Sequence, residues 1–270
     1  MSNEAVDSLS WVKPYYTRAG EYWGPTGIEP RLEQRLKILE AHCGSETLTL
    51  LELGAGTGEV SALMADAGHD VTAVEFSPTR APHIRELAKQ PRLGSLYAVE
   101  ADFYEVSLRG PFDVVCYWDG FGIGTDSDQR RLLSRIAREW LKTDGCALID
   151  VFSPYRWVLE TGTEWRLERN HPSHRYRQRR RFEFDPVTET FVDEWCPIDD
   201  STDECDESMA IRQQIRCYSP ADLQLLVEGT GLKIVSMDIE GESIDMQSRE
   251  SRSTSALWKA WSYLAKLVRE

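Results

Sequence analysis

Apolar positions recur along this chain with two different periods. Leu48–Leu53, Val71–Val74, Leu96–Val99, Phe112–Tyr117 and Ala147–Phe152 are short, nearly continuous apolar runs. Runs of this length, rich in Val, Leu, Ile and Phe, predict strands buried on both faces. Between them, Val60, Leu63, Met64 and Ala67 recur at helical spacing, and Gly68 stops that helix. Leu132, Leu133, Ile136, Trp140 and Leu141 mark a second amphipathic helix, and Leu32, Leu36 and Leu39 an earlier one. Strands alternating with helices predict an α/β fold with a parallel sheet covered on both faces.

After Ser153 the pattern changes. Seven arginines fall between Arg166 and Arg181, and eight acidic residues with no basic one between Asp193 and Glu207. Between them, two strand-like stretches flank a turn at Asp185-Pro186. The expected structure is an antiparallel extension whose opposite charges neutralise each other across strands. Ile211–Tyr218 alternates like a further strand. Ser219-Pro220 then starts a helix with Ser as the cap, and Leu232–Ile239 is a strand. Gly241–Ser255 is polar and expected to be a mobile loop. The tail is ambiguous: Trp258, Trp261 and Leu264 fit a helix, whereas Trp261, Tyr263, Ala265 and Leu267 alternate like a strand. The divisions expected are residues 1–47, a helical lid; 48–153, the core; 154–218, the antiparallel insertion; and 219–270, a segment that returns to complete the core sheet.

Charge narrows the function. The 270 residues carry 31 basic and 45 acidic side chains, a formal net charge of −14. An acidic surface repels phosphate, which argues against DNA or RNA as a partner. No apolar run approaches the roughly 20 residues a membrane helix needs. The first residues show no basic segment followed by an apolar one. Six dispersed cysteines without a C-x-x-C pair read as reduced thiols, so a cytoplasmic protein without a metal is expected. Among the histidines, His42, His69 and His83 are expected at solvated helix ends and turns, and His171 and His174 lie in the arginine run.

The chemistry gathers at Leu51-Glu52-Leu53-Gly54-Ala55-Gly56-Thr57-Gly58, between a strand and a helix. Glycines here let a ligand approach the main chain. A dinucleotide site has the spacing G-x-G-x-x-G, but here position 59 is Glu and the spacing is G-x-G-x-G. Glu52 also sets a negative charge where a pyrophosphate is unwelcome and a cationic or amine-bearing ligand is favoured. An NAD-dependent oxidoreductase on the same fold is therefore the weaker alternative. A non-catalytic interaction protein is the other.

These residues resemble the class I S-adenosylmethionine-dependent methyltransferases, in their small-molecule, natural-product branch. Four segments carry the resemblance: Glu52–Gly58; the acid Glu75 ending strand two, followed by Phe76; Glu100-Ala101-Asp102-Phe103; and Phe112–Gly122. The resemblance implies a Rossmann-like, doubly wound, mostly parallel seven-stranded sheet with helices on both faces. It also implies S-adenosyl-L-methionine as cofactor, held by Glu52, Gly54, Ala55, Gly56, Gly58, Glu75, Phe76, Ala101, Asp102, Phe103, Trp118 and Gly120. In that reading Glu75 accepts from the ribose hydroxyls and Asp102 from the adenine amino group. Five aromatics between Trp11 and Trp23 suggest a segment folded over the cofactor, with Tyr16 and Arg18 toward its carboxylate.

The implied reaction is in-line methyl transfer to O, N or C of a small, aromatic metabolite. Trp23, Phe121, Tyr155, Trp157 and Trp195 are the candidate substrate-binding residues. No family histidine follows strand four, where Ile123-Gly124-Thr125 stands. The candidate catalytic acids are therefore Asp119, which follows strand four, and Glu194, if the hairpin swings it over the pocket. The oligomeric state stays open, a homodimer included.

Overall fold

The computed structural model describes residues 9–25, 30–169, 174–239, 241–244 and 254–270. Two N-terminal helices, α1 (Val12–Tyr22) and α2 (Pro30–Cys43), precede the core. The core then alternates as expected: β1 (Thr49–Leu53), α3 (Glu59–Asp66), β2 (Asp70–Glu75), α4 (Ala81–Ala88), β3 (Ser95–Glu100) and β4 (Phe112–Phe121). It continues through α5 (Asp126–Arg135), one π-helical turn over Ile136–Trp140, and β5 (Leu141–Phe152). A capping box between Thr125 and Asp128 starts α5.

The chain then leaves the core sheet. After α6 (Pro154–Glu160) come β6 (Glu164–Leu167), β7 (Arg177–Asp185), β8 (Thr190–Ile198) and β9 (Ile211–Arg216), a separate four-stranded antiparallel sheet. The charge runs neutralise each other there: Arg180 grips Asp193 through two 2.8 Å bonds, Arg177 meets Asp203 at 2.8 Å and Arg166 meets Asp203 at 2.9 Å. Helix α7 (Pro220–Val227) has the expected Ser219 cap, completed by Asp222. The strands β10 (Leu232–Ile239), β11 (Glu242–Ser243) and β12 (Ser262–Arg269), with α8 (Thr254–Lys259), return to the core sheet.

The core sheet has the order β11-β10-β12-β5-β4-β1-β2-β3. The five strands from β5 to β3 are mutually parallel, and β12 runs antiparallel between β5 and β10. The sheet has eight strands rather than seven because the two-residue β11 joins its edge. The tail resolves into both readings in succession, a short helix and then a strand. Tyr263, Ala265 and Leu267 turn into the core while β12 bonds neighbours on both sides. Most of the expected loop, residues 245–253, lies outside the described residues.

One face of the sheet packs α5, the π-helical turn and α7 around Trp140, Leu133 and Tyr263, and the other packs α2, α3 and α4 around Leu39, Met64 and Ile84. Burial at such density supplies most of the driving force. A third cluster of Ile123, Trp157, Phe182, Phe191, Ile215 and Cys217 fastens the small sheet to the core. At that junction the Arg216 amide donates to the Gly122 carbonyl at 2.9 Å. Gly122 has φ +108°, and a Cβ there would lie 2.1 Å from the Arg216 carbonyl oxygen. Only glycine permits this approach. Among the described residues no helix is long and apolar enough to cross a membrane.

Candidate active site

β1 lies between β2 and β4, so the order of connection reverses beside it. Open α/β sheets bind ligands at such a switch point, beyond the carboxyl ends of the strands. A cleft of about 830 Å³ opens there. Its floor is the turn after β1. Gly54 and Gly56 take φ of +62° and +60°, and a Cβ on Gly56 would meet no atom within 4 Å. The main chain thus faces open space.

Three carboxylates surround the turn. Glu75, buried at the end of β2, accepts the Gly56 amide at 2.9 Å and the Ser77 amide at 2.8 Å. Burial raises its pKa, opposed by Arg80 and these amides. Glu52 is buried and bonded to the Ser61 hydroxyl. Burial pushes it up to about 7, against the pull of Ser61 and Arg35. Asp102 accepts the Tyr104 amide at 2.9 Å. Tyr16 closes the cleft from α1, its ring edge-on to Phe76 at 5.8 Å and beneath Arg80 at 5.4 Å.

A second cavity, of about 980 Å³, lies beneath the small sheet. Trp157 stacks flat on Phe191 at 3.7 Å, Trp261 stands edge-on to Trp157 at 4.6 Å, and Trp165 adds a further wall. Trp118, Asp119, Arg31 and Arg35 line both cavities. Asp119 has φ +53° and is bonded to Arg35, with Arg31 at 3.3 Å. Burial opposes its ionisation, but Arg35 and Arg31 outweigh this and hold its pKa below the usual range. The indole N–H groups of Trp118 and Trp157 are buried and have no partner among the described residues.

The cleft brings together Tyr16, Trp23, Glu52, Gly54, Ala55, Gly56, Glu75, Phe76, Asp102, Phe103, Trp118, Asp119 and Gly120. Trp157 lines the second cavity. Other expectations need correction. Arg18 turns away from the cleft and donates to the Ser208 carbonyl at 3.4 Å. Gly58 sits one step back as the cap of α3, and Ala101 ties the ends of β3 and β2 by donating to the Glu75 carbonyl. Phe121 is buried against Tyr218 at 5.6 Å between rings. Tyr155 packs on Trp258, and Trp195 packs between Trp23 and Arg180 outside both cavities.

Glu194 does not swing over a pocket. It is buried in β8 between Arg179 at 3.1 Å and Arg212 at 2.6 Å, since a lone carboxylate there would be costly. His69 is buried rather than solvated: its Nδ1 accepts the Leu48 amide at 3.2 Å, and burial lowers its pKa. His42 pairs with Asp238 at 3.2 Å, and His171 lies outside the described residues. The six cysteines form no disulfide, with the Cys43 and Cys146 thiols in contact at 3.2 Å. Sequence reasoning missed Arg31, Arg35, Asp150 and Trp261. The only signal was the helical spacing that sets Arg31 and Arg35 on one face of α2.

A family model described as a methyltransferase domain matches residues 50–145. A curated relative, the cypemycin N-terminal methyltransferase of a Streptomyces species, is 32% identical over 117 residues, 43% of this chain. The match spans 46% of that relative's length, about half. The CcbJ methyltransferase of Streptomyces caelestis has a similar structure, with TM-score 0.71 and 20% identity over 92% of this chain and 99% of that one. So does an amino pentose methyltransferase from Micromonospora echinaspora, with TM-score 0.60 and 15% identity over 89% and 90%. Residues 50–145 thus resemble a methyltransferase domain, and the chain shares the fold of these methyltransferase structures.

Proposed function

We infer that this chain transfers a methyl group from S-adenosylmethionine, bound in the glycine-turn cleft, to a small molecule in the aromatic cavity. The observation that carries this reading is the junction: two cavities of ligand size share one wall of Trp118 and Asp119 at the end of β4. The residues present fit the cofactor. Gly54 and Gly56 offer bare main chain, and Glu75 keeps lone pairs for hydroxyl donors beyond the two amides it accepts. When bound, the cofactor supplies an electrophilic methyl on a positively charged sulfur.

The chain's own groups do the rest. Glu52 and Glu75 favour a cationic ligand over a pyrophosphate. Asp102, which keeps further acceptor capacity beyond the Tyr104 amide, is positioned for the base. Tyr16 and Phe76 cover the cleft and exclude water, which strengthens every charge inside. The aromatic walls orient the acceptor, where much of the rate of a two-substrate reaction arises. The name of the curated relative, an N-terminal methyltransferase, supports a nitrogen acceptor.

Thermal melts in the presence of S-adenosylhomocysteine and of NAD⁺ test the cofactor. A rise with the first and none with the second is expected; stabilisation by NAD⁺ alone would overturn the reading. Transfer of labelled methyl to small molecules, tRNA and proteins, assayed side by side, tests the acceptor. Dominant labelling of a macromolecule overturns the substrate class.

A further inference from the structure

The aromatic cavity is lined by two neighbouring carboxyls, Asp119 and Asp150. Asp150, near the end of β5, lines the cavity together with Asp119 of the neighbouring strand β4. Two neighbouring carboxyls resist ionising together, so one of them keeps its proton to a higher pH. Arg35 and Arg31 secure the negative charge on Asp119. The exchangeable proton therefore rests on Asp150, which burial and the Asp119 charge push up to about 7.

The other charged groups around the cavity are committed elsewhere or stand at its rim. Arg180 is closed by Asp193 and His42 by Asp238, while Lys37 and Lys259 are exposed. Within the cavity, Trp157, Trp165 and Trp261 present aromatic faces suited to a cation or a flat apolar body. Trp118, next to Asp119, lines both this cavity and the cleft.

We propose that this cavity receives a small amine on an aromatic body, with its nitrogen against the Asp119–Asp150 pair, and that the pair takes a proton from that nitrogen before methyl transfer. The proposal rests on the methyltransferase reading above. An ammonium arriving as Asp150 ionises leaves the summed charge of Arg31, Arg35, Asp119, Asp150 and ligand unchanged. A carboxylate or phenolate would instead add a negative charge beside Asp119. In the chemical step the ammonium passes one proton to the Asp150 carboxylate, leaving a lone pair on nitrogen. That pair forms the nitrogen–carbon bond as the carbon–sulfur bond breaks and its electrons remain on sulfur. The proton on Asp150 then leaves to solvent.

The probes are tryptamine, its alcohol tryptophol and indole-3-acetate, each titrated into protein saturated with S-adenosylhomocysteine. At pH 8 tryptamine is expected to bind about tenfold or more tighter than tryptophol, the size of one charge-assisted contact, and indole-3-acetate more weakly still. The preference should fade as pH falls through about 7 and Asp150 takes up its proton. Asp150→Asn keeps the shape of the side chain but cannot ionise. It should bring the amine-to-alcohol ratio to about one, independent of pH, with S-adenosylhomocysteine affinity unchanged. A ratio near one in the unaltered protein, or an unaltered ratio in the variant, overturns the proposal. So does absent tryptamine binding in protein that binds S-adenosylhomocysteine. Should the variant not fold, the pH dependence of the ratio in the unaltered protein decides. Failure to bind S-adenosylhomocysteine at all removes the methyltransferase reading instead, so the two failures are distinguishable.

Discussion

The two cavities sit on either side of one short wall, yet they are built from different material. The floor of the cleft consists of turns at the ends of β1, β2, β3 and β4 that present main chain and carboxylates, with Tyr16 of α1 and Arg31 and Arg35 of α2 at its sides. The aromatic cavity has few main-chain features. Its walls are side chains from α2, β4, β5, α6, the small sheet and β12, from Arg31 to Leu264. A site made of strand-end turns is held by the sheet and is rigid by construction. A site made of converging side chains is only as firm as their packing, and it can change its shape by repacking without disturbing the cleft.

This contrast can be broken by experiment. Trp157→Ala should have the largest effect, about 3–5 kcal/mol lost in denaturant melts, because it removes a buried ring stacked on Phe191. S-adenosylhomocysteine affinity of the folded fraction should stay within a few fold. A parallel collapse of both would show that the cavities are one unit.

Glu52→Gln probes the cleft through pH. The Glu52 pKa is raised from 4.5 to about 7 by burial, so between those values the folded chain holds a proton the unfolded chain has released. Stability from this group is full below about 4.5 and is lost as pH rises through 7, up to about 3 kcal/mol in all. The Gln variant should therefore gain stability relative to the unaltered protein as pH rises across that window. Parallel melting curves at pH 5 and pH 8 would refute the assignment.

Glu75→Gln should weaken S-adenosylhomocysteine binding by about 1.5–3 kcal/mol, since the carboxylate is replaced by a group with one acceptor oxygen. Calorimetry at unchanged affinity would remove Glu75 from the site. The smallest effect belongs to Arg31→Ala. Its side chain is 69% exposed and Asp119 keeps Arg35, so the cost should be about 0.2–1 kcal/mol. A larger loss would mean that the shared wall depends on both arginines.

The cleft was legible residue by residue because its chemistry follows strand order. Once Leu48–Leu53 and Val71–Val74 are strands, Glu75 must end beside the glycine turn, and it bonds Gly56. The misplacements came from side-chain direction. Phe121 was expected in a pocket as an aromatic of the Phe112–Gly122 segment, but β4 turns it inward onto Tyr218. Arg18 shares α1 with Tyr16 yet leaves the helix on another face, toward Ser208. Glu194 was chosen for its place in the hairpin, although the arginines opposite it in register, Arg181 and Arg212, already signalled a cross-strand ion pair.

The sequence by itself determined the alternation of strand and helix, the glycine turn with its acids, and the neutralising charge runs of the small sheet. Each of these follows from residues close together in the chain, where periodicity and backbone freedom decide. Only the tertiary structure decided that α2 would carry Arg31 and Arg35 to Asp119. It also decided that β4 and β5 would set Asp119 and Asp150 on neighbouring strands, and that β12 would bring Trp261 and Ser262 to the other side of β5. No local preference encodes such meetings. They depend on how elements more than 80 residues apart in the case of Arg35 and Asp119 are packed against one sheet, and packing is a property of the whole fold.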